Sequence, residues 1–579
     1  MKKLLLIFLF ANEISFSQTF TKITSGTPVN DAASSYGCSW ADYDNDGDLD
    51  IFISNVYSEN DILYSNNGNN SFTKITNGAI VTDSKFSESS SWADYDNDGD
   101  LDVFVALATG QNNALYRNDG NGVFTKITSG SIVTNGGDSR NGAWGDYDND
   151  GFLDLFVSNS NNQSNFLYHN NGNGTFTKIT TGAIVTNVGN FHGAHWADYD
   201  NDNDLDLYVS NQGGNDCFYE NNGNGTFAKI TSGPIVSNSG YSVGGSWGDF
   251  NNDGNLDLFV PRTTTFSSFT NTIYINNGNK TFSEISSNVI EIDGGASTGS
   301  GWADYDNDGD IDLFVANTTV QTSTQVNFLY ENTGNANFTK ITTGALVADV
   351  GVNSRGVAWA DYDNDGDMDL YVANELSTNN FFFENNGNSN NWINIKCEGL
   401  NNNNRSAIGA RVYVKTTNPV GGNQIWQIQE ISAQTGYMGQ NSLNVEFGLG
   451  ASTIIDSIKV RWPSGLICYY TNVPSNQFLY TTDNCELSVM GIENKSNTGF
   501  DVTVFPNPNN GKFTVIANRE ERSGKQSHLT IYNILGEVVY RSVGNAPMTI
   551  DISAYSKGIY FLTIYNGGKI ISKKLVVEE

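Results

Sequence analysis

Seven nine-residue runs in this chain repeat one pattern, an acidic side chain at nearly every odd position with glycine at the sixth. The first holds Asp42, Asp44, Asp46, Asp48 and Asp50, and the second Asp94, Asp96, Asp98, Asp100 and Asp102. The third has Asp146, Asp148, Asp150 and Asp154 with Phe152 at its seventh position, and the fourth Asp198, Asp200, Asp202, Asp204 and Asp206. The fifth keeps Asp249, Asp253 and Asp257 but places Asn251 and Asn255 between them. The sixth holds Asp304, Asp306, Asp308, Asp310 and Asp312, and the seventh Asp361, Asp363, Asp365, Asp367 and Asp369. Four carboxylates drawn to within about 4 Å make six repulsive pairs, each ~1 kcal/mol in water and ~4 kcal/mol near a protein surface. Such a loop does not close unaided. Oxygen donors spaced around a sharply turning glycine are what calcium coordination demands, so the runs predict up to seven calcium sites.

An EF-hand shares the first six positions but needs a bidentate Glu at the twelfth and a helix on each side. Here the twelfth positions are Ile53, Val105, Val157, Val209, Val260, Val315 and Val372, each inside a short apolar run of strand composition. The ligand set therefore closes at position nine. Side-chain oxygen is expected from positions one, three, five and nine, and only a backbone carbonyl from the seventh, which tolerates Phe152 and Asn255. The fifth run, with three carboxylates, is expected to bind more weakly than the rest.

Successive runs start 52, 52, 52, 51, 55 and 57 residues apart, and the segments between them repeat too. A typical unit reads Phe176 to Thr180, a Gly/Asn-rich loop, a strand ending at Trp196, the acidic loop, Leu205 to Val209, and Phe218 to Gly223. These are four short strands. The strand after the acidic loop is apolar on both faces and must lie between neighbouring sheets, whereas Phe176 to Thr180 alternates like an edge. A toroid of four-stranded blades meets both demands. Its first unit opens with an orphan strand, Phe20 to Thr24, and its last, after Phe381 to Glu384, lacks one, so the N-terminal strand should complete blade seven and remove the open sheet edge. The loops resemble the FG-GAP or VCBS repeats of integrin α-subunit propellers, over residues 19–388. Asn203 replaces the expected glycine, a mild departure because Asn tolerates the left-handed backbone.

From Trp392 the chain alternates inward and outward residues, and Asn404 to Arg411, Phe447 to Gly450 and Trp462 to Gly465 resemble the ASPIC/UnbV module. Val504 to Pro508, Gly558 to Tyr560 and the tail Lys573 to Val577 resemble the C-terminal sorting domain of bacterial type IX secretion, which implies an encounter with that machinery. Met1 to Lys3, apolar Leu4 to Ala11 and Ser15 to Ser17 have the form of a secretory signal. The expected organisation is all-β: signal 1–17, seven-bladed propeller 18–388, β-domain 389–486, linker 487–499 and sorting β-sandwich 500–579. Export places the protein outside the outer membrane, secreted or on the surface. A net charge of −33 disfavours nucleic acid and anionic lipid, and Leu4 to Ala11 is too short to insert across a bilayer. The five cysteines form neither a disulfide framework nor a zinc pattern: Cys38 and Cys217 read as buried thiols, while Cys397, Cys468 and Cys485 leave room for one bridge.

Six residues before each acidic run stand Tyr36, Glu88, Arg140, His192, Val243, Thr298 and Arg355, a variety that contrasts with the repeated Trp40, Trp92, Trp144, Trp196, Trp247, Trp302 and Trp359 nearby. The tryptophans fit blade-to-blade packing. Of the variable set, Tyr36, Glu88, Arg140, His192 and Arg355 are candidate ligand residues on the rim opposite the acidic loops. His192 and His195 form a local pair without an evident carboxylate, and the chain lacks a phosphate loop, a nucleophile elbow or a metalloprotease signature. The expected function is a calcium-binding adhesion scaffold for an extracellular glycan or protein. Its rival is a polysaccharide lyase or hydrolase working with Glu88, Arg140, His192 or Arg355.

Overall fold

The strand after each acidic loop is apolar on both faces because both faces are covered. The computed structural model describes residues 19–68, 70–237, 240–263, 269–285, 288–319, 325–417, 424–490, 500–505, 511–519, 527–533, 538–544, 548–566 and 569–577. In it Asp50–Asn55, Asp102–Leu107, Asp154–Asn159 and Asp312–Asn317 are buried along their whole length. Among the described residues the repeats form seven sheets of four antiparallel strands, and the sheet that begins with Ser35–Ala41 gains a fifth, parallel strand, Gly439–Gln440. The innermost strands are Ser35–Ala41, Ser87–Ala93, Ser139–Gly145, Phe191–Ala197, Ser246–Gly248, Ser297–Ala303 and Ser354–Ala360. Each meets the next strand across its acidic loop, as in Trp40 opposite Ile51 and Ala41 opposite Asp50. The ring closes as its ends foretell: Phe20–Ile23 adds to Phe381–Asn385 with Phe20 opposite Asn385 and Ile23 opposite Phe382.

Successive sheets are tied by the repeated tryptophans. The Trp40 indole donates to Ala358 O across the closure, Trp144 to Ser91 O, Trp196 to Ala143 O, Trp302 to Ser246 O and Trp359 to Gly301 O, at 3.1–3.3 Å. Trp40, Trp144, Trp196 and Trp302 also stack on the aromatic at position two of the preceding acidic loop, Trp144 on Tyr95 at 7° between planes. The indoles are thus consumed in packing. One helical turn follows the outer strand in the first repeats, with Ile80 and Val81 buried in the first of them; the sequence periodicity did not announce these turns.

Residues 389–489 build two four-stranded sheets, Val445–Gly450, Asn391–Glu398, Phe478–Thr482, Leu487–Val489 and Gln424–Glu430, Arg411–Thr417, Ile454–Arg461, Ile467–Pro474, in those orders. The expected linker therefore begins as a strand, Leu487–Val489, and its remainder from 491 lies outside the described residues. This β-domain shares one apolar core with the ring, in which Ile408, Val412 and Trp462 lie with Trp144, Leu153 and Tyr95. Ring and domain are one compact unit ending at Val489. Cys468 and Cys485 are bridged, and Cys38, Cys217 and Cys397 are buried thiols. A second unit, from Met490 onward, has a three-stranded sheet and a four-stranded sheet around Val515, Leu529, Ile531, Ile550 and Leu562. The expected signal, 1–17, and the Pro506 to Pro508 part of the tail motif lie outside the described residues.

Candidate functional site

The acidic loops are wound around their own first carboxylate. Asp94 accepts the backbone N–H of Asp98 (3.0 Å) and of Gly99 (2.7 Å), and Asp146, Asp249, Asp304 and Asp361 repeat the pair. The glycine has φ +99° at Gly99, and Asn203 takes its place at φ 80°, the left-handed backbone its side chain tolerates. Position nine is locked from both sides: Asp50 accepts the N–H of Asn66 (2.8 Å) from the next strand and of Tyr43 (3.1 Å) from its own loop. Positions one, three and nine converge, with ligand atoms of Asp42, Asp44 and Asp50 all within 4.8 Å of one another, and likewise Asp94, Asp96, Asp102; Asp146, Asp148, Asp154; and Asp198, Asp200, Asp206. Position five turns one oxygen to the N–H of position seven, as Asp46 does to Asp48 at 3.0 Å.

These clusters are electrostatically incomplete. Burial, reinforced by Asp44 and Asp42, pushes Asp50 far above the usual carboxylate range, and burial with Asp96 and Asp94 does the same to Asp102. Burial lifts Asp206 to about 10 and Asp257 to about 9. Buried oxygens of Asp42, Asp44, Asp96, Asp148, Asp206, Asp257 and Asp363 accept no hydrogen bond. Buried acceptors without donors cost free energy, and a hard cation held by oxygen is the group that satisfies several at once. The donor set fits calcium.

Position four carries a role that sequence reading missed. Asn occupies it in all seven runs with left-handed φ of 56° to 64°, and its amide reaches the next loop. Asn45 donates to Asp100 (2.8 Å), Asn149 to Asp204 (2.8 Å), Asn201 to Asn255 (2.9 Å), Asn252 to Asp310 (2.8 Å), Asn307 to Asp367 (2.9 Å) and, closing the circle, Asn364 to Asp48 (3.1 Å). Asn97, facing Phe152, donates to Gly151 O instead, at 2.9 Å. Position seven thus supplies an acceptor side chain between loops, beyond the bare carbonyl the sequence suggested. The signal was present as an invariant Asn, but its φ and its partner one repeat away are properties of the closed ring.

The second β-domain rests on the loop face. Ser406 accepts the N–H of Asp94, Gly448 donates to Asp304, Lys396 lies 3.6 Å from Asp42, and Arg411 and Arg461 hold Asp198. From this domain a tongue, residues 431–444, enters the axis of the ring. Gly439–Gln440 pairs in parallel with Cys38 and Ser39, Gln440 exchanges hydrogen bonds with the Trp92 backbone, Gln434 meets Asn141 and Ser90, and Asn441 meets Trp359 and Trp302. Glycines make the room: a Cβ on Gly439 would stand 2.0 Å from Val357 O, and one on Gly436 1.9 Å from Ser300 O.

At the tongue's tip, Tyr437 and Met438 meet the variable residues. In six inner strands the register shifts at or beside that position, as between Ser35 and Gly37, which re-aims the side chain. His192 Nδ1 lies 3.0 Å from Tyr437 Oη, and Val243 and Tyr36 pack on Tyr437 and Met438. The Arg355 guanidinium covers the Tyr36 ring at 4.9 Å and bonds Glu375, which also accepts from Tyr36 (3.1 Å) and Tyr57 (2.8 Å). Arg140 pairs with Glu88 and with Asp138 (3.2 Å). Burial raises Glu88 to about 7 against the pull of Arg140 and Arg355, and burial with the same two arginines lowers His192 to about 3. The five candidate residues therefore form one cluster. Glu88 corrects the reading in one respect: at 1% exposure it is buried rather than standing on an outer rim, and the register shift between Ser87 and Ser89 falls at its position. His192 and His195 do not act as a pair; His195 is buried against Gln434 O and accepts Gly245 N–H at 3.1 Å. Tyr437, Glu375, Tyr57 and Asp138 were missed: Tyr437 lies outside the repeats, and the other three stand at repeat positions other than the one singled out.

A closed ring of four-stranded sheets around an axial channel, each with a metal-type loop, defines a β-propeller of the repeat class. Models of the FG-GAP-like repeat match residues 42–105, 94–157, 146–209, 204–260, 265–315 and 304–372, more than half of the chain, and the chain belongs to that family. The ASPIC and UnbV model matches 400–484 and the secretion system C-terminal sorting domain 503–578. The sorting domain marks a secreted or cell-surface bacterial protein; no helix among the described residues is long and apolar enough to cross a membrane. Cartilage acidic protein 1 of Mus musculus is 26% identical over 271 residues, covering 45% of this chain and 40% of that protein. The chain thus spans about two fifths of the length of the curated relatives it matches. Similar solved structures include the Bacillus licheniformis rhamnogalacturonan lyase PL11 (13% identity, TM-score 0.34, 63% of this chain and 75% of that one) and a fucose-specific lectin from Aleuria aurantia (12%, 0.33, 54% and 97%).

Proposed function

We propose that the ring is a calcium-stabilised binding scaffold whose axial mouth, lined by Tyr36, Glu88, Arg140, His192 and Arg355 around Tyr437, receives an extracellular glycan or protein. In each loop calcium would be held by positions one, three, five and nine, and its charge would neutralise the carboxylates that otherwise repel. The observation that carries the reading is convergence. Residues of six types from the seven repeats meet at one end of the axis, and their arginines are held by ion pairs, so they are presented with little entropy left to lose on binding. Arg140 and Arg355 each keep about a fifth of their side chain exposed, 22% and 21%, so the mouth is not sealed over them.

The test pairs a glycan and protein array with a reducing-end release assay on surface polysaccharides. Binding that disappears in Arg140→Ala and Arg355→Ala, without turnover, supports the scaffold. Release of new ends that Arg140→Ala abolishes would replace it with the lyase or hydrolase reading, and binding untouched by either substitution would remove the mouth from the account.

A further inference from the structure

We infer that the outward face of the sheet Gln424–Glu430, Arg411–Thr417, Ile454–Arg461, Ile467–Pro474 is a second, independent binding site, a platform for an acidic polysaccharide chain. Alternation fixes which residues share this face. Val412, Val414, Ile458, Val460 and Cys468 are buried beneath the sheet, so Tyr413, Lys415, Lys459 and Tyr469 point away from that core. Register then sets the rows: Trp426 lies beside Lys415, which lies beside Ser457, and Tyr413 beside Lys459, which lies beside Tyr469. The three aromatics reach from one edge strand to the other, about 14 Å or three strand spacings. Tyr413 is half-buried and packs at the ring-side end of the face against Ile428, Leu256 and Ala197, so the open part of the surface is carried by Trp426, Lys415, Lys459 and Tyr469.

Exposure and charge indicate the occupant. Tyr469 is 62% and Trp426 38% exposed, unusual for rings of this size on a sheet whose other face is fully packed. Lys459 Nζ stands 3.2 Å over the Tyr413 ring and Lys415 Nζ 5.5 Å from the Trp426 ring centre, and among the described residues neither lysine has a carboxylate ion-pair partner. Toward the ring the face ends at Arg411 and Arg461, which are committed to Glu430 and Asp198, and at its outer edge Asp456 accepts from Thr417. Two cations without counter-ions on a chain of net charge −33 form a local positive patch. Aromatic rings stack on the apolar faces of sugars and lysines receive carboxylates, a combination that suits a uronate-bearing polymer and not a neutral one.

The experiment uses the full chain in calcium with hyaluronate and alginate oligosaccharides, and dextran as the neutral control, read by calorimetry. Binding to a uronate oligosaccharide that weakens with added salt, with none to dextran, is expected. Trp426→Ala with Tyr469→Ala should weaken it about tenfold or more, a loss of about 1.4 kcal/mol or more. Lys415→Gln with Lys459→Gln should remove the salt dependence, and Arg140→Ala should leave this binding unchanged. All four surface changes should keep the melting temperature. Uronate binding equal in the aromatic double variant, equal affinity for dextran, or no binding to either uronate would overturn the proposal.

Discussion

At the residue scale, the loops are linked by single amides. Replacing Asn364 with Ala removes the donor that closes the circle onto Asp48 and puts a Cβ-bearing residue without polar compensation at φ 61°. About 1 kcal/mol for the hydrogen bond and about 1 kcal/mol for the left-handed backbone are at stake. Urea unfolding should show Asn364→Ala destabilised by the sum and Asn364→Gly by roughly the first part alone. Glu88 supplies a pH dependence. Its folded-state value is raised to about 7 from 4.5, so its contribution to stability is full below pH 4.5 and is lost as pH rises through 7. Glu88→Gln cannot ionise, and its melting temperature should gain on the native protein's as pH climbs across that window. The candidate residues themselves were legible as a varied position beside the repeated tryptophans. Tyr437 was not, because it comes from outside the repeat and its neighbours exist only once the tongue is seated.

At the element scale, ring closure was legible from bookkeeping of strands: one orphan at the start, one missing at the end. Deleting residues 19–23 would expose Phe381–Asn385 as an unpaired edge, and light scattering should show concentration-dependent association of the truncated protein. The tongue was invisible for the opposite reason. Gly436 to Gly439 stands apart from any repeat, and nothing in its pattern says that five of the seven repeats offer glycine at the matching depth, Gly37, Gly193, Gly244, Gly299 and Gly356. Gly439→Ala forces a methyl against Val357 O and should cost about 1–3 kcal/mol, with array binding at the mouth falling alongside. A loss of stability with full ligand binding would show that the tongue does not shape the mouth.

At the scale of the whole molecule, one unit combines a strongly acidic ring with a domain that covers its loop face and reaches through its axis. The alternation of strands and the seven acidic runs made the all-β fold readable, because each repeat restates the same physics. The merging of ring and β-domain into one core was not readable, since both halves present ordinary strand patterns and only their contact shows that Ile408 and Trp144 share an interior. Native stability in this account depends on ions that bind the folded ring and not the unfolded chain, each adding about 2.7 kcal/mol when held at a concentration near a hundredfold over its Kd. The most direct measurement is a calorimetric melt of the full chain in millimolar calcium and again in excess chelator. A large drop in melting temperature, restored by adding calcium back, is the result expected; identical melts in the two buffers would contradict it.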